Sequence, residues 1–170
     1  KHVDVVIVGA GFSGLYLMHR CLQANRTAIV LEQGSDVGGT WYWNRYPGAR
    51  CDTPSMEYGY GWHEALQQEW EWSEKYSPQP ELLKYAQHIA DRFDLKNHIA
   101  FNTRVASAHF DEDADEWLVT TECGRRIRAQ HLVMATGVLS ASKEPDIIGK
   151  EYYQGDTYRT GLWPKEGVDF

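Results

Sequence analysis

The spacing of apolar residues changes several times along the chain, and each change marks an element. Asp4-Val5-Val6-Ile7-Val8 is a continuous β-branched run, the pattern of a central parallel strand covered on both faces. Beyond the glycines at 9, 11 and 14, Leu15, Leu17, Met18, Cys21 and Leu22 recur at helical spacing, which predicts a helix ending near Asn25. Ala28-Ile29-Val30-Leu31 reads as a second strand that closes on Glu32. From 34 to 75 the periodicity fades, although five of the seven tryptophans fall there, at 41, 43, 62, 70 and 72. That composition predicts packed, irregular chain with short helical turns.

Pro80 then opens a second helix, at a position where its missing N–H costs nothing. Leu82, Leu83, Ala86, Ile89, Ala90 and Phe93 give that helix one apolar face. After Phe101 the period becomes two. Val105–Phe110 and Trp117–Thr121 flank an acidic turn, Asp111 to Glu116, and predict a hairpin. Arg126–Ala129 is expected to complete a small antiparallel sheet, and His131–Ala135 to return as a buried strand ending in Thr136-Gly137. The expected fold is therefore α/β: a Rossmann-like domain with a parallel sheet and a small inserted antiparallel sheet.

The turn Gly9-Ala10-Gly11-Phe12-Ser13-Gly14 carries the first candidate chemistry. Gly9 permits a tight turn after the strand, Gly11 lets backbone approach a pyrophosphate, and Gly14 allows close helix–strand packing. The helix N-terminus adds N–H donors and the positive end of its dipole. Glu32, 18 residues beyond Gly14, stands where an acid accepts hydrogen bonds from ribose hydroxyls. It would repel a 2′-phosphate, so the turn suits FAD or NAD in place of NADP. The same glycines could also serve only to shape a βα turn.

Composition adds limits. A net charge of -7 argues against nucleic acid as a partner. No apolar run approaches the ~20 residues of a membrane span, and no leader pattern precedes the first strand. Cys21, Cys51 and Cys123 are odd in number and widely spaced. They suggest no metal site and a reducing compartment, hence the cytoplasm. The seven histidines show no ligand spacing. The chain begins without methionine and closes on a loop-like Pro164-Lys165-Glu166-Gly167 stretch, which suggests part of a larger protein.

The segment from Gly38 to Asp52 narrows the reading. Gly39, Trp41, Tyr46, Pro47, Gly48 and Asp52 occupy every fixed position of a pattern that resembles the first fingerprint of the Baeyer–Villiger monooxygenases. The resemblance runs along the whole chain and implies the FAD-binding part of a flavoprotein with two dinucleotide-binding domains. In that family NADPH reduces FAD, oxygen adds at the flavin, and the peroxide converts a ketone to an ester or lactone. By resemblance, Thr40, Trp41, Tyr42, Trp43, Asp52 and Tyr58 contact the flavin, while Arg50, Cys51 and Asp52 also approach NADP. Phe12 and Ser13 belong to the pyrophosphate turn. Arg104 and Val105 match positions near the adenine, and Gly137 a strand end that returns to the cofactor. Asp52 is the candidate catalytic group, holding the nicotinamide amide or steering a protonation at the flavin edge.

A second fingerprint of the same family is matched at Tyr153, Gly155, Trp163 and Pro164, with Arg159 where histidine is expected. Histidine can be neutral and accept a hydrogen bond, whereas arginine stays charged and only donates. The resemblance implies residues 1–150 as the FAD-binding domain, with the β insertion at about 101–130. Residues 151–170 would link to an NADPH domain outside this chain. A ketone, O2 and the rest of the parent chain are the implied partners, with no nucleic acid and no membrane. N- or S-oxygenating flavin monooxygenases share this architecture, and a non-catalytic FAD-binding module would share the turn.

Overall fold

A computed structural model describes all 170 residues. The β-branched run forms β1 (His2–Val8), the helical stretch α1 (Phe12–Gln23), and the next apolar run β2 (Ala28–Leu31). The tryptophan-rich segment holds three short helices, α2 (Thr40–Trp43), α3 (Ser55–Tyr58) and α4 (Glu64–Glu69). α5 (Gln79–Arg92) carries Pro80 in its first turn and buries Leu82, Tyr85, Ala86, Ile89 and Ala90. β3 (Ile99–Ala100), β4 (Val105–Asp111), β5 (Glu116–Thr121) and β6 (Arg126–Met134) follow.

The strands form one six-stranded sheet in the order β3-β2-β1-β6-β5-β4. β1 lies between β2 and β6 and is parallel to both, with Val6 facing Ile29 on one side and Leu132 on the other. β4, β5 and β6 are antiparallel neighbours. The fold class is thus α/β with a parallel and an antiparallel part, as the sequence indicates. One detail differs: Arg126–Ala129 and His131–Ala135 are not two strands. β6 runs through both, pairing β5 as far as Ala129 and β1 as far as Met134. No turn residue interrupts it, so the alternating half, with Ile127 and Ala129 buried, leads directly into the apolar half.

His131 and Met134 are exposed and Leu132 and Val133 half-buried, so the second half of β6 is not the buried strand its composition suggests. Beyond Ala129 its far edge has no partner strand, and its end borders an open cleft. The core has two parts. One face of the sheet packs Ile7 and Val30 against Leu15, Met18, Ala86 and Ile89 of α1 and α5. On the other, Val3, Val6, Ile29 and Leu31 meet Val119 and Ile127, with Val105, Ala108 and Trp117 of the hairpin closing over them. Residues 136–170 are almost wholly exposed and, apart from two 3₁₀ turns, Lys150–Tyr152 and Thr160–Leu162, without regular structure. No helix is long and apolar enough to cross a membrane.

Candidate functional site

Val8, Leu31 and Met134, at the carboxyl ends of three parallel strands, open onto a cleft of about 540 Å³. It lies where β2 and β6 diverge to either side of β1, the crevice that open α/β sheets offer to ligands. Its volume falls in the range of about 300–1,000 Å³ usual for cofactor sites.

The glycine turn forms the floor. Gly9, Gly11, Phe12 and Ser13 all line the cleft. α1 begins at Gly11 with no side-chain cap, so its first N–H groups remain available to a ligand. Gly11 and Gly39 come so close that a Cβ on Gly39 would sit 2.8 Å from the Gly11 Cα. Two stretches far apart in sequence thus meet as bare backbone, a cradle that side chains would fill. Gly14 does not line the cleft. It is buried behind the turn, where a Cβ would fall inside the Gly9 carbonyl oxygen.

Glu32 closes β2 on the cleft wall and is only 4% exposed. Its carboxylate accepts the Ala10 N–H through Oε2 and the Gly34 N–H through Oε1, both at 2.7 Å. The acid therefore braces the glycine turn against the loop after β2, in addition to any role toward ribose.

Gly39, Thr40, Trp41, Trp43 and Tyr58 form the next wall. Trp41 is held in place: its indole N–H donates to Tyr58 Oη at 2.8 Å, and Gln79 of α5 donates to its carbonyl. Burial pushes the Tyr58 phenol pKa up, opposed by the Trp41 N–H bond and reinforced by the nearby Cys51 and Asp52. Val105, Arg104, Thr136 and Gly137 close the opposite side.

Besides Gly14, four residues expected at the cofactor lie off the cleft. Tyr42 points away, its hydroxyl bonded to Ser35 at 2.8 Å and to Lys165 at 3.3 Å. Arg50 pairs with Glu74 at 2.5 Å and donates to the Tyr76 carbonyl. Cys51 is buried beside Trp41 and Leu82. Asp52 is exposed, lies near Tyr58 and does not line the cleft. Sequence reasoning missed Gln33, Thr103, Ser107, Ser140 and Ala141, which also line the cleft. Gln33 follows Glu32 past the end of β2, while Thr103, Ser107, Ser140 and Ala141 reach the cleft because the chain around β4 and after β6 folds back, which no local pattern encodes. A second, more polar hollow of about 670 Å³ adjoins the cleft through Gln33, Thr40 and Trp43 and reaches Gly161 and Leu162. This places the second fingerprint beside α2, where Arg159 pairs only distantly with Glu144, at 3.9 Å.

Residues 6–164 match the pyridine nucleotide-disulphide oxidoreductase family. A Baeyer-Villiger monooxygenase of Pseudooceanicola batsensis is 41% identical over 98% of this chain and 30% of its own length. A phenazine N-monooxygenase of Lysobacter antibioticus is 40% identical over 97% of the chain and 31% of its own length. A steroid monooxygenase solved in its oxidized form with NADP superposes with a TM-score of 0.92 at 50% identity, over 100% of this chain and 33% of its own. The chain thus spans about a third of the length of the proteins it matches. It belongs to the pyridine nucleotide-disulphide oxidoreductase family, and within it resembles the amino-terminal FAD-binding portion of the Baeyer–Villiger monooxygenases.

Proposed function

We propose that residues 1–150 hold FAD in a Baeyer–Villiger-type monooxygenase, with the antiparallel strands as an insertion at about 101–130. Residues 151–170 would lead to an NADPH-binding domain outside this chain. The parent enzyme would use FAD and NADPH to insert one atom of O2 into a ketone, giving an ester or lactone, in the cytoplasm. The observation that carries this reading is the meeting of the two motifs. Gly39, Thr40, Trp41 and Trp43 of the fingerprint wall the same cleft that Gly9 and Gly11 open.

The residues fit the cofactor by shape and by donor set. The free N–H groups at the start of α1 suit a pyrophosphate, Glu32 a ribose, and Val105 the flat face of an adenine. Bare backbone at Gly39, with Trp41, Trp43 and Tyr58, suits the flavin ring. FAD, when bound, supplies the electron acceptance and oxygen activation that no side chain here can. The protein's share is to orient the ring, exclude water and present polar groups at its edge.

Cofactor binding is testable directly. The full-length protein purified with FAD should show the structured visible bands of bound flavin; a colourless folded protein would remove the reading. Supplying cyclic ketones, amines and sulfides separately then identifies the reaction, and ester or lactone is the expected product. The N-oxygenating relative favours a second reading, oxygenation of nitrogen or sulfur. N-oxide or sulfoxide with no ester would establish that one.

Asp52, near Tyr58 but off the cleft lining, would hold a nicotinamide amide or steer a protonation at the flavin edge and would not help to bind the ring. Asp52→Ala should therefore leave the flavin spectrum unchanged and lower NADPH-dependent ester formation by about tenfold or more. Unchanged NADPH oxidation and ester yield would strip Asp52 of that role.

A further inference from the structure

Trp70 and Trp72 lie outside the cleft, yet they continue a path that begins in its wall. Trp41 and Tyr58 stand 5.8 Å apart, ring centre to ring centre, joined by the indole hydrogen bond. Trp72 packs against the same Trp41–Cys51–Leu82 cluster as Tyr58. Gly59, next after Tyr58, lies under it: a Cβ there would meet the Trp72 Cζ2 at 3.4 Å. Trp70 stands edge-on to Trp72 at 5.7 Å. It is half-buried at the surface, with exposed Glu69 and Glu71 on either side of it in sequence.

Apolar packing alone would be met by leucine or phenylalanine. Indoles and phenols differ in giving up one electron readily, and rings in contact exchange electrons quickly. We propose that Trp41, Trp72 and Trp70, the first two packed into one cluster, carry a one-electron vacancy from the cleft to the surface, a proposal that rests on the FAD reading above. A one-electron oxidant in the cleft, either a photoexcited oxidised flavin or an oxygen-derived radical, gains one electron and Trp41 loses it. An electron from Trp72 refills Trp41, and one from Trp70 refills Trp72; no bond forms or breaks in either hop. The vacancy rests on Trp70 as an indole radical cation, until a thiol or ascorbate in solution returns one electron.

Two features favour that resting place. The Trp70 Nε1 is buried without a hydrogen-bond partner, so its proton has no ready acceptor and the positive charge stays on the ring. The ring is also half-buried at the surface, where solvent lowers the cost of that charge. The competing branch through Phe12, Tyr60 and Trp62 is disfavoured, because the Phe12 ring is hard to oxidise and the Tyr60 phenol donates to the Phe12 carbonyl. A carbonyl cannot take the proton that phenol oxidation releases. The relay would spare the cleft residues from oxidation whenever an oxidant forms without substrate.

Flash photolysis of the FAD-loaded full-length protein tests it. A flash absorbed by the flavin should yield a long-lived indole radical cation. Trp72→Phe and Trp70→Phe should each shorten its lifetime about tenfold, and Trp62→Phe should not change it. All three should keep the same flavin spectrum and melting transition. Unaltered lifetimes in the Trp70 and Trp72 variants with flavin bound overturn the relay alone, as does an equal effect of Trp62→Phe. A protein without bound flavin overturns the cofactor reading and the relay together. Peptide mapping of the unmutated protein after prolonged illumination in air needs no variant. Oxidised indole is expected at Trp70, and oxidation confined to Trp41 would overturn the relay.

Discussion

Gly14→Ala should abolish FAD retention and destabilise the fold by roughly 3 kcal/mol or more, while Gly11→Ala should abolish retention alone. The two glycines sit three residues apart in one turn and fail for different reasons. At Gly14 an added methyl would occupy the position of the Gly9 carbonyl oxygen, with Ile7 of β1 at 3.7 Å beyond. Both neighbours belong to the central strand or its end, so relief requires α1 to lift off the sheet. That movement would open the contacts of Leu15 and Met18, which are fully buried.

At Gly11 the backbone is extended, with φ at -77°, so alanine adopts it without strain. Its Cβ would approach the Gly39 Cα at 3.4 Å, a tight contact but one with no backbone overlap. The methyl would project into the gap between the two bare backbones, where the cofactor must pass. Urea unfolding of the cofactor-free proteins, paired with the visible spectrum after FAD addition, separates the two effects. A Gly14→Ala protein as stable as the parent would refute the packing argument. A Gly11→Ala protein that keeps its flavin would show that the cofactor does not approach there.

Much of this was legible in the sequence because the governing interactions are local. β1, α1 and β2 follow from apolar spacing, and the turn between them needs glycine at positions only the backbone geometry explains. α5 is marked by Pro80 and one apolar face. The hairpin follows from its period of two and an acidic turn. What stayed hidden depends on distant partners. β3 is two residues long and exists only because β2 offers an edge. The unity of β6 appears only once β1 and β5 are both in place.

The candidate site shows the same division. Sequence places Gly39, Thr40, Trp41 and Trp43 near a cofactor as one block, yet Tyr42, inside that block, faces the opposite way. A helical turn as short as α2 must send neighbours in different directions, and the Tyr42 hydroxyl finds Ser35 and Lys165. Asp52 is similar: the fingerprint fixes its distance along the chain, but only the folded chain shows that it lies near Tyr58 and off the cleft lining. Arg50 turns outward because Glu74 and the Tyr76 carbonyl offer it two acceptors.

Glu32→Gln should lower both stability and FAD affinity, which distinguishes a brace from a simple ribose acceptor. The carboxylate has two equivalent oxygens, and each accepts one backbone N–H at 2.7 Å. Glutamine keeps the shape but presents one oxygen and one NH2 group. One of the two N–H groups, at Ala10 or Gly34, would then face a donor inside a site where the side chain is 4% exposed. An unpaired buried donor costs about 1–3 kcal/mol, and loss of the charge weakens the bond that remains. The Ala10 N–H lies in the glycine turn itself, so its release should loosen the floor of the cleft and lower FAD affinity through the protein as well as through the lost ribose contact. Glu32→Asp tests the geometry separately: it keeps the charge, but one methylene shorter it cannot reach both N–H groups together. Urea midpoints of the cofactor-free proteins should fall for both variants, with FAD titrations weakened in parallel. Midpoints equal to the parent's, with only FAD binding reduced, would mean that Glu32 serves the ribose and that the turn stands without it.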